Sequence, residues 1–116
     1  MSLKKQTQNL YEGMYVISSK LSDDARHKAL DKIQKGISSR GGEILKIHDQ
    51  GRRRMAYEIE GHKEGHYYVI YFNLPPAGIA ELWQEYHLHE DLIRFITLRA
   101  EKMLEKIEFK PIEIIQ

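Results

Sequence analysis

The chain predicts an α+β domain of split βαβ type, a four-stranded antiparallel sheet with two helices on one face. Three observations carry this. Apolar periodicity alternates between strand and helix in the order strand, helix, strand, strand, helix, strand. The first and third strands are apolar on both parities, as central strands are. Glycines and prolines fall at the breaks between elements.

Residues 10–17 predict the first strand, with Leu10, Met14 and Val16 on one parity and Tyr11, Tyr15 and Ile17 on the other. Ser22-Asp23-Asp24 starts a helix, because a serine caps the first turn and acids suit its positive end. Ala25, Ala29, Ile33 and Ile37 repeat every fourth residue and Leu30 widens the stripe. Gly41-Gly42 ends the helix, since glycine accepts the left-handed conformation there. Residues 43–60 predict a long, interrupted strand, with a bulge or bend at Gly51. Met55, Tyr57 and Ile59 alternate with Arg54, Ala56 and Glu58. Residues 61–65, with a glycine at each end, predict a five-residue hairpin loop. A near-continuous apolar strand follows over 66–73 and stops at Pro75-Pro76, which can open a helix. Ile79, Leu82, Trp83 and Tyr86 form one helical stripe, and residues 91–99 predict the last strand. This is the ferredoxin-like arrangement, with the second and fourth strands at the sheet edges and one sheet face free to bind.

The 116 residues suit one core. We expect a flexible N-terminal extension over 1–8, a domain over 9–99 and a C-terminal tail over 100–116. Zero cysteines exclude disulfides, thiol catalysis and cysteine-ligated metals. No apolar run approaches the ~20 residues of a membrane helix. The N-terminus lacks the apolar stretch of a signal peptide, so a cytoplasmic protein is expected. A formal net charge of +1 is low for a general nucleic-acid binder, so any such contact must come from local charge. Residues 40–54 hold five basic residues (Arg40, Lys46, Arg52, Arg53, Arg54) against two acidic ones, while acids gather at 23–24 and 81–91. That partition suggests one basic and one acidic face.

The arginine triplet Arg52-Arg53-Arg54 is the leading candidate site. Strand geometry points Arg52 and Arg54 to one face and Arg53 to the other. Guanidinium groups fork onto phosphate oxygens and stack on bases. A charged edge that deters unwanted strand pairing explains the run equally well. The seven tyrosines could include base-stacking platforms, but in such a strand-rich chain most belong to the core. His62 and His66 are four apart, a metal-binding spacing only on a helix, and glycines flank them here. Ser18-Ser19 and Ser38-Ser39 lack a nucleophile elbow, and Gly41-Gly42 lacks the continuation of a phosphate loop. The expectation is therefore a non-enzyme without cofactor, metal, membrane or small-molecule substrate. A small-molecule regulatory domain of the same fold is the alternative.

Several motifs occur in order: Gly51-Arg52-Arg53-Arg54-Met55-Ala56-Tyr57-Glu58-Ile59, then Lys63-Glu64-Gly65-His66-Tyr67, with Tyr11-Glu12-Gly13-Met14-Tyr15 and Gly41-Gly42-Glu43-Ile44 before them and Leu92-Ile93-Arg94 after. Over roughly residues 9–99 the chain resembles the bacterial small-subunit ribosomal protein six family. It departs from the family pattern at Glu58, where proline is usual, and at Gly13, where threonine is common. The resemblance implies a scaffold that pairs with ribosomal protein eighteen and binds the central domain of small-subunit 16S rRNA, helping to assemble the platform. It implies an rRNA- and partner-binding set of Arg52, Arg53, Arg54, Tyr57 and Arg94, to which Lys46 and Arg99 are added as neighbouring basic positions.

Overall fold

The computed structural model describes residues 8–104. Seven elements run in the predicted order: β1 (Asn9–Ser18), α1 (Asp23–Ser38), β2 (Glu43–Ile59), β3 (His62–Leu74), a 3-10 turn (Pro76–Gly78), α2 (Ile79–His87) and β4 (Leu92–Arg99). All strand pairs are antiparallel, and the sheet order is β2-β3-β1-β4. The two doubly apolar strands therefore lie in the centre, as expected.

Ser22 caps α1 by accepting the Ala25 amide at 3.2 Å. At the other end Gly41 adopts φ +83°. Its amide reaches Ser38 O and that of Gly42 reaches Ile37 O, so the last carbonyls of the helix are satisfied. The main core lies between helices and sheet. Ala29, Ile33 and Ile37 of α1 and Leu82 and Tyr86 of α2 pack on Tyr15, Ile17, Tyr68, Ile70, Phe72 and Leu74. Six of the seven tyrosines are buried, and Tyr57 alone is exposed. Trp83 sits at the margin of its stripe, 40% exposed, and donates its indole N–H to Thr97 Oγ1 at 3.2 Å.

Two readings of the sequence need correction. The β2–β3 connection is a two-residue turn, Glu60-Gly61, with φ of 49° and 83°, and not a loop over 61–65. Positive φ at both central residues matches the twist of the flanking strands. Gly65, taken as a loop end, is a buried strand residue whose missing side chain lets Val16 pack against the backbone. The expected bulge near Gly51 is present, with a register shift between Asp49 and Gly51 and φ +82° at the glycine.

The second correction concerns the sheet face opposite the helices, which is only partly open. The β2–β3 hairpin extends past the ends of β1 and β4, and as an arm it brings Met55 and Ile59 onto Val16, Tyr67, Met14 and Ile93. At the other end of this face a short strap follows β4. The Ala100 amide donates to Leu10 O at 2.9 Å, and the Leu104 carbonyl reaches His48 Nε2 at 3.1 Å. Tyr71, beneath the strap, donates to Glu12 at 2.8 Å. Residues 1–7 and 105–116 lie outside the described residues, and with them most of the expected extension and tail.

Candidate nucleic-acid interface

The arginine triplet stands on the edge strand β2, at the root of the arm, with all three residues exposed. Its position follows from the bulge. Asp49 Oδ1 accepts the Gly51 amide at 2.9 Å and lies 2.7 Å from His66 Nε2. The His66 ring in turn stacks on Tyr68 at a centroid distance of 4.8 Å. Partial burial alone would raise the Asp49 carboxyl, but the His66 hydrogen bond and the Gly51 amide together hold it below its ordinary range. Arg26 of α1 completes the corner by donating to Tyr68 Oη at 3.0 Å and Asp23 at 2.8 Å.

The register places Arg52 and Arg54 opposite His66 and Glu64, on the helix side of the sheet, and Arg53 opposite Gly65, on the other side. Arg52 Nε donates to Glu64 Oε1 at 2.7 Å, a largely exposed pair. Arg53 Nε donates to Gln50 O at 3.0 Å. The arginines therefore project from both faces of the arm, and the expected split into one basic and one acidic face does not occur. Arg40 also leaves the basic stretch: its guanidinium turns to Glu85 at 2.8 Å and Glu81 at 3.4 Å on α2.

Arg94 joins the arm. It pairs with Val16, and it lines, with Tyr57, Met55, Ala56, Ile59, Met14, Val16 and Tyr67, a cavity of about 20 Å³ between arm and sheet. Arg53 is turned to this same face two rows along, and Tyr57 and Arg94 share one corner of it. Lys46 and Arg99 do not. Lys46 lies in the row of Tyr71 and Arg99 in that of Tyr11, five residues or so along the sheet, roughly 17 Å away at the strand rise. Sequence reasoning missed the apolar bed of Met14, Val16, Met55, Tyr67 and Ile93 between the cations. Its signal was the second apolar parity of the central strands, which marked burial without saying what covered that face.

Among the described residues, no group of three or more acidic or histidine side chains could hold a metal ion, and no helix is long and apolar enough to cross a membrane. Fold and site define a class: ferredoxin-like α+β domains with a charged sheet edge and a partly open sheet face. The model of the family described as Ribosomal protein S6 matches residues 10–99, and this chain belongs to that family. The chain is 67% identical over 111 residues to small ribosomal subunit protein bS6 of Protochlamydia amoebophila, covering 96% of this chain and 97% of the relative. It is 60% identical over 107 residues to the Chlamydia trachomatis protein of the same name, at 92% and 96% coverage. Among solved structures, the 30S ribosomal protein S6 of Thermotoga maritima superposes with a TM-score of 0.76 at 33% identity, over 81% of this chain and 89% of the other.

Proposed function

We propose that the chain is a non-enzymatic structural constituent of the small ribosomal subunit in the cytoplasm. In this reading it binds the central domain of 16S rRNA together with ribosomal protein eighteen and helps assemble the platform. The observation that supports it best is the corner where Tyr57 and Arg94 meet around an apolar bed, with exposed Arg52, Arg53 and Arg54 on the same arm as Tyr57. Guanidinium groups suit phosphate, and the apolar bed suits a protein partner. A shared interface also accounts for a net charge of only +1, because the partner can bring further positive charge. The alternative, a metabolite-binding regulatory domain, fits the same corner poorly: about 20 Å³ holds one water and no metabolite.

The test is a gel-shift titration of the chain against a central-domain rRNA fragment, with and without ribosomal protein eighteen, at two salt concentrations. Binding should tighten with the partner and weaken with salt, as neutralised phosphates release counterions. Arg53→Glu should weaken the complex about tenfold or more with unchanged circular dichroism, the scale of a lost charge-assisted contact plus repulsion. Wild-type affinity in that variant would remove the triplet from the interface. No binding by the folded pair would overturn the reading.

A further inference from the structure

The open sheet face is covered unequally along its length. His48, Val69, Met14 and Ile96 share one row across the sheet. Two rows on toward the arm come Gly51, Tyr67, Val16 and Arg94, and two rows the other way stand Lys46, Tyr71, Glu12 and Leu98. An apolar stripe therefore runs from Met55 on the arm, through Val16, Tyr67, Met14 and Val69, to Tyr71 and Leu98.

The strap lies across the far half of this stripe. It starts where the Ala100 amide donates to Leu10 O, and it ends where the Leu104 carbonyl accepts from His48 Nε2 on β2. Tyr71 shows what it covers. This ring stands on the face opposite the helices and yet is only 1% exposed. The Leu104 backbone lies against its hydroxyl, and the His48 ring meets it edge-on at a centroid distance of 5.9 Å. The stretch left open, from Val69 to Gly65, is about 13 Å long at the strand rise, and the strap withholds about as much again, from Val69 to Asn73.

The strap holds this ground weakly. Glu101 and Lys102 are exposed, Leu104 is 42% exposed, and neither Met103 nor Leu104 belongs to either apolar cluster. Backbone hydrogen bonds tie its ends, and a partner or water can replace those. Met14, Val69, Ile96, Tyr71 and the 58%-exposed Leu98 suit the apolar centre of a protein interface, whereas Glu12 among them repels a phosphate backbone. A standard interface takes about 800 Å² from each side, more than the open stretch offers.

We propose that the strap, residues 100–104, is a displaceable cover: it occupies the far half of the open face in the free chain and leaves when a protein partner seats on the whole stripe. This rests on the function proposed above, which makes ribosomal protein eighteen that partner. Apparent affinity is then lowered by the fraction of molecules whose strap is down, and pinning the strap lowers it further.

The chain has no cysteine, so thiols can be placed at will. Leu104 makes its contacts through its backbone, which leaves its side chain free to carry a probe. A nitroxide on Leu104→Cys should broaden the amide signals of His48 and Tyr71 in the free chain, and adding ribosomal protein eighteen should restore them. Broadening that persists in the complex, or that is missing from the free chain, would overturn the proposal. In the full chain carrying His48→Cys and Leu104→Cys, a dibromobimane bridge between the two thiols pins the strap. By isothermal titration calorimetry the bridged form should bind ribosomal protein eighteen about tenfold or more weakly than the unbridged form, with the same circular dichroism. Equal affinities would overturn the strap's role alone. No binding by the wild type would overturn the proposed function and the strap's role with it.

Discussion

At the scale of single residues, the tightest polar contact in the core joins Tyr15 and Tyr86, hydroxyl to hydroxyl at 2.7 Å. Burial pushes both phenols well above their ordinary range, so both stay neutral. The same ring explains the departure at Gly13, where a Cβ would stand 2.6 Å from Tyr15 Oη. Tyr15→Phe leaves the buried Tyr86 hydroxyl short of a partner and should cost about 1–3 kcal/mol. Adding Tyr86→Phe should cost clearly less than the sum of the singles, since the stranded hydroxyl leaves with it. Urea unfolding of the four proteins decides this, and strict additivity would show that the bond contributes little. Asp49 carries the pH dependence of the arm. Its folded-state pKa is lowered, so its stabilising effect is present above the ordinary carboxyl range near pH 4 and fades as pH falls through the folded value. The advantage of the wild type over Asp49→Asn in urea midpoint should therefore shrink on going from about pH 6 to about pH 3. An advantage independent of acid would mean that Asp49 acts through shape alone.

At the scale of elements, the arm depends on one close approach. Gly65 lies opposite Ser18 in the β1–β3 ladder, and any Cβ there collides with Val16 Cγ1. The core has no slack at that point, because Val16 and Tyr67 are themselves buried beneath Met55. Gly65→Val should destabilise the domain by about 1–3 kcal/mol, the usual cost of overpacking, and should loosen the arm before the helix-side core. Amide exchange should rise first at Arg53 and Met55 while Ile70 stays protected. Uniform loosening would show that arm and sheet unfold as one unit. Helix limits, strand order and the Gly51 bulge were legible beforehand because each rests on local chemistry: a capping serine, a doubly apolar strand, a glycine between charged neighbours. The two-residue turn was not. Glu60 in a left-handed conformation leaves no compositional mark, whereas Gly65 mimics the end of a loop.

At the scale of the whole molecule, the triplet could be named from composition, but its company could not. Arg94 lies forty residues from Arg54 in sequence, and only the β1–β4 and β2–β3 registers bring it to the corner of Tyr57, on the arm that carries the triplet. The same registers send Lys46 and Arg99 to the far end of the sheet, a separation that sequence distance does not show for Lys46. The strap was equally hidden. Glu101-Lys102-Met103-Leu104 shows no periodicity, and its path is set by Leu10 O and His48, from other parts of the chain. The sheet order has a consequence for how the chain is made. The first strand to leave the ribosome, residues 9–18, occupies an inner position and has no partner until residues 62–74 have followed. Its second flank stays open until residue 99 is out. The hairpin of β2 and β3 can zip at once from its turn, but β1 must wait first for β3 and then for β4. A protein that takes its place in the translation machinery is thus one whose own sheet closes only when its last strand has been translated.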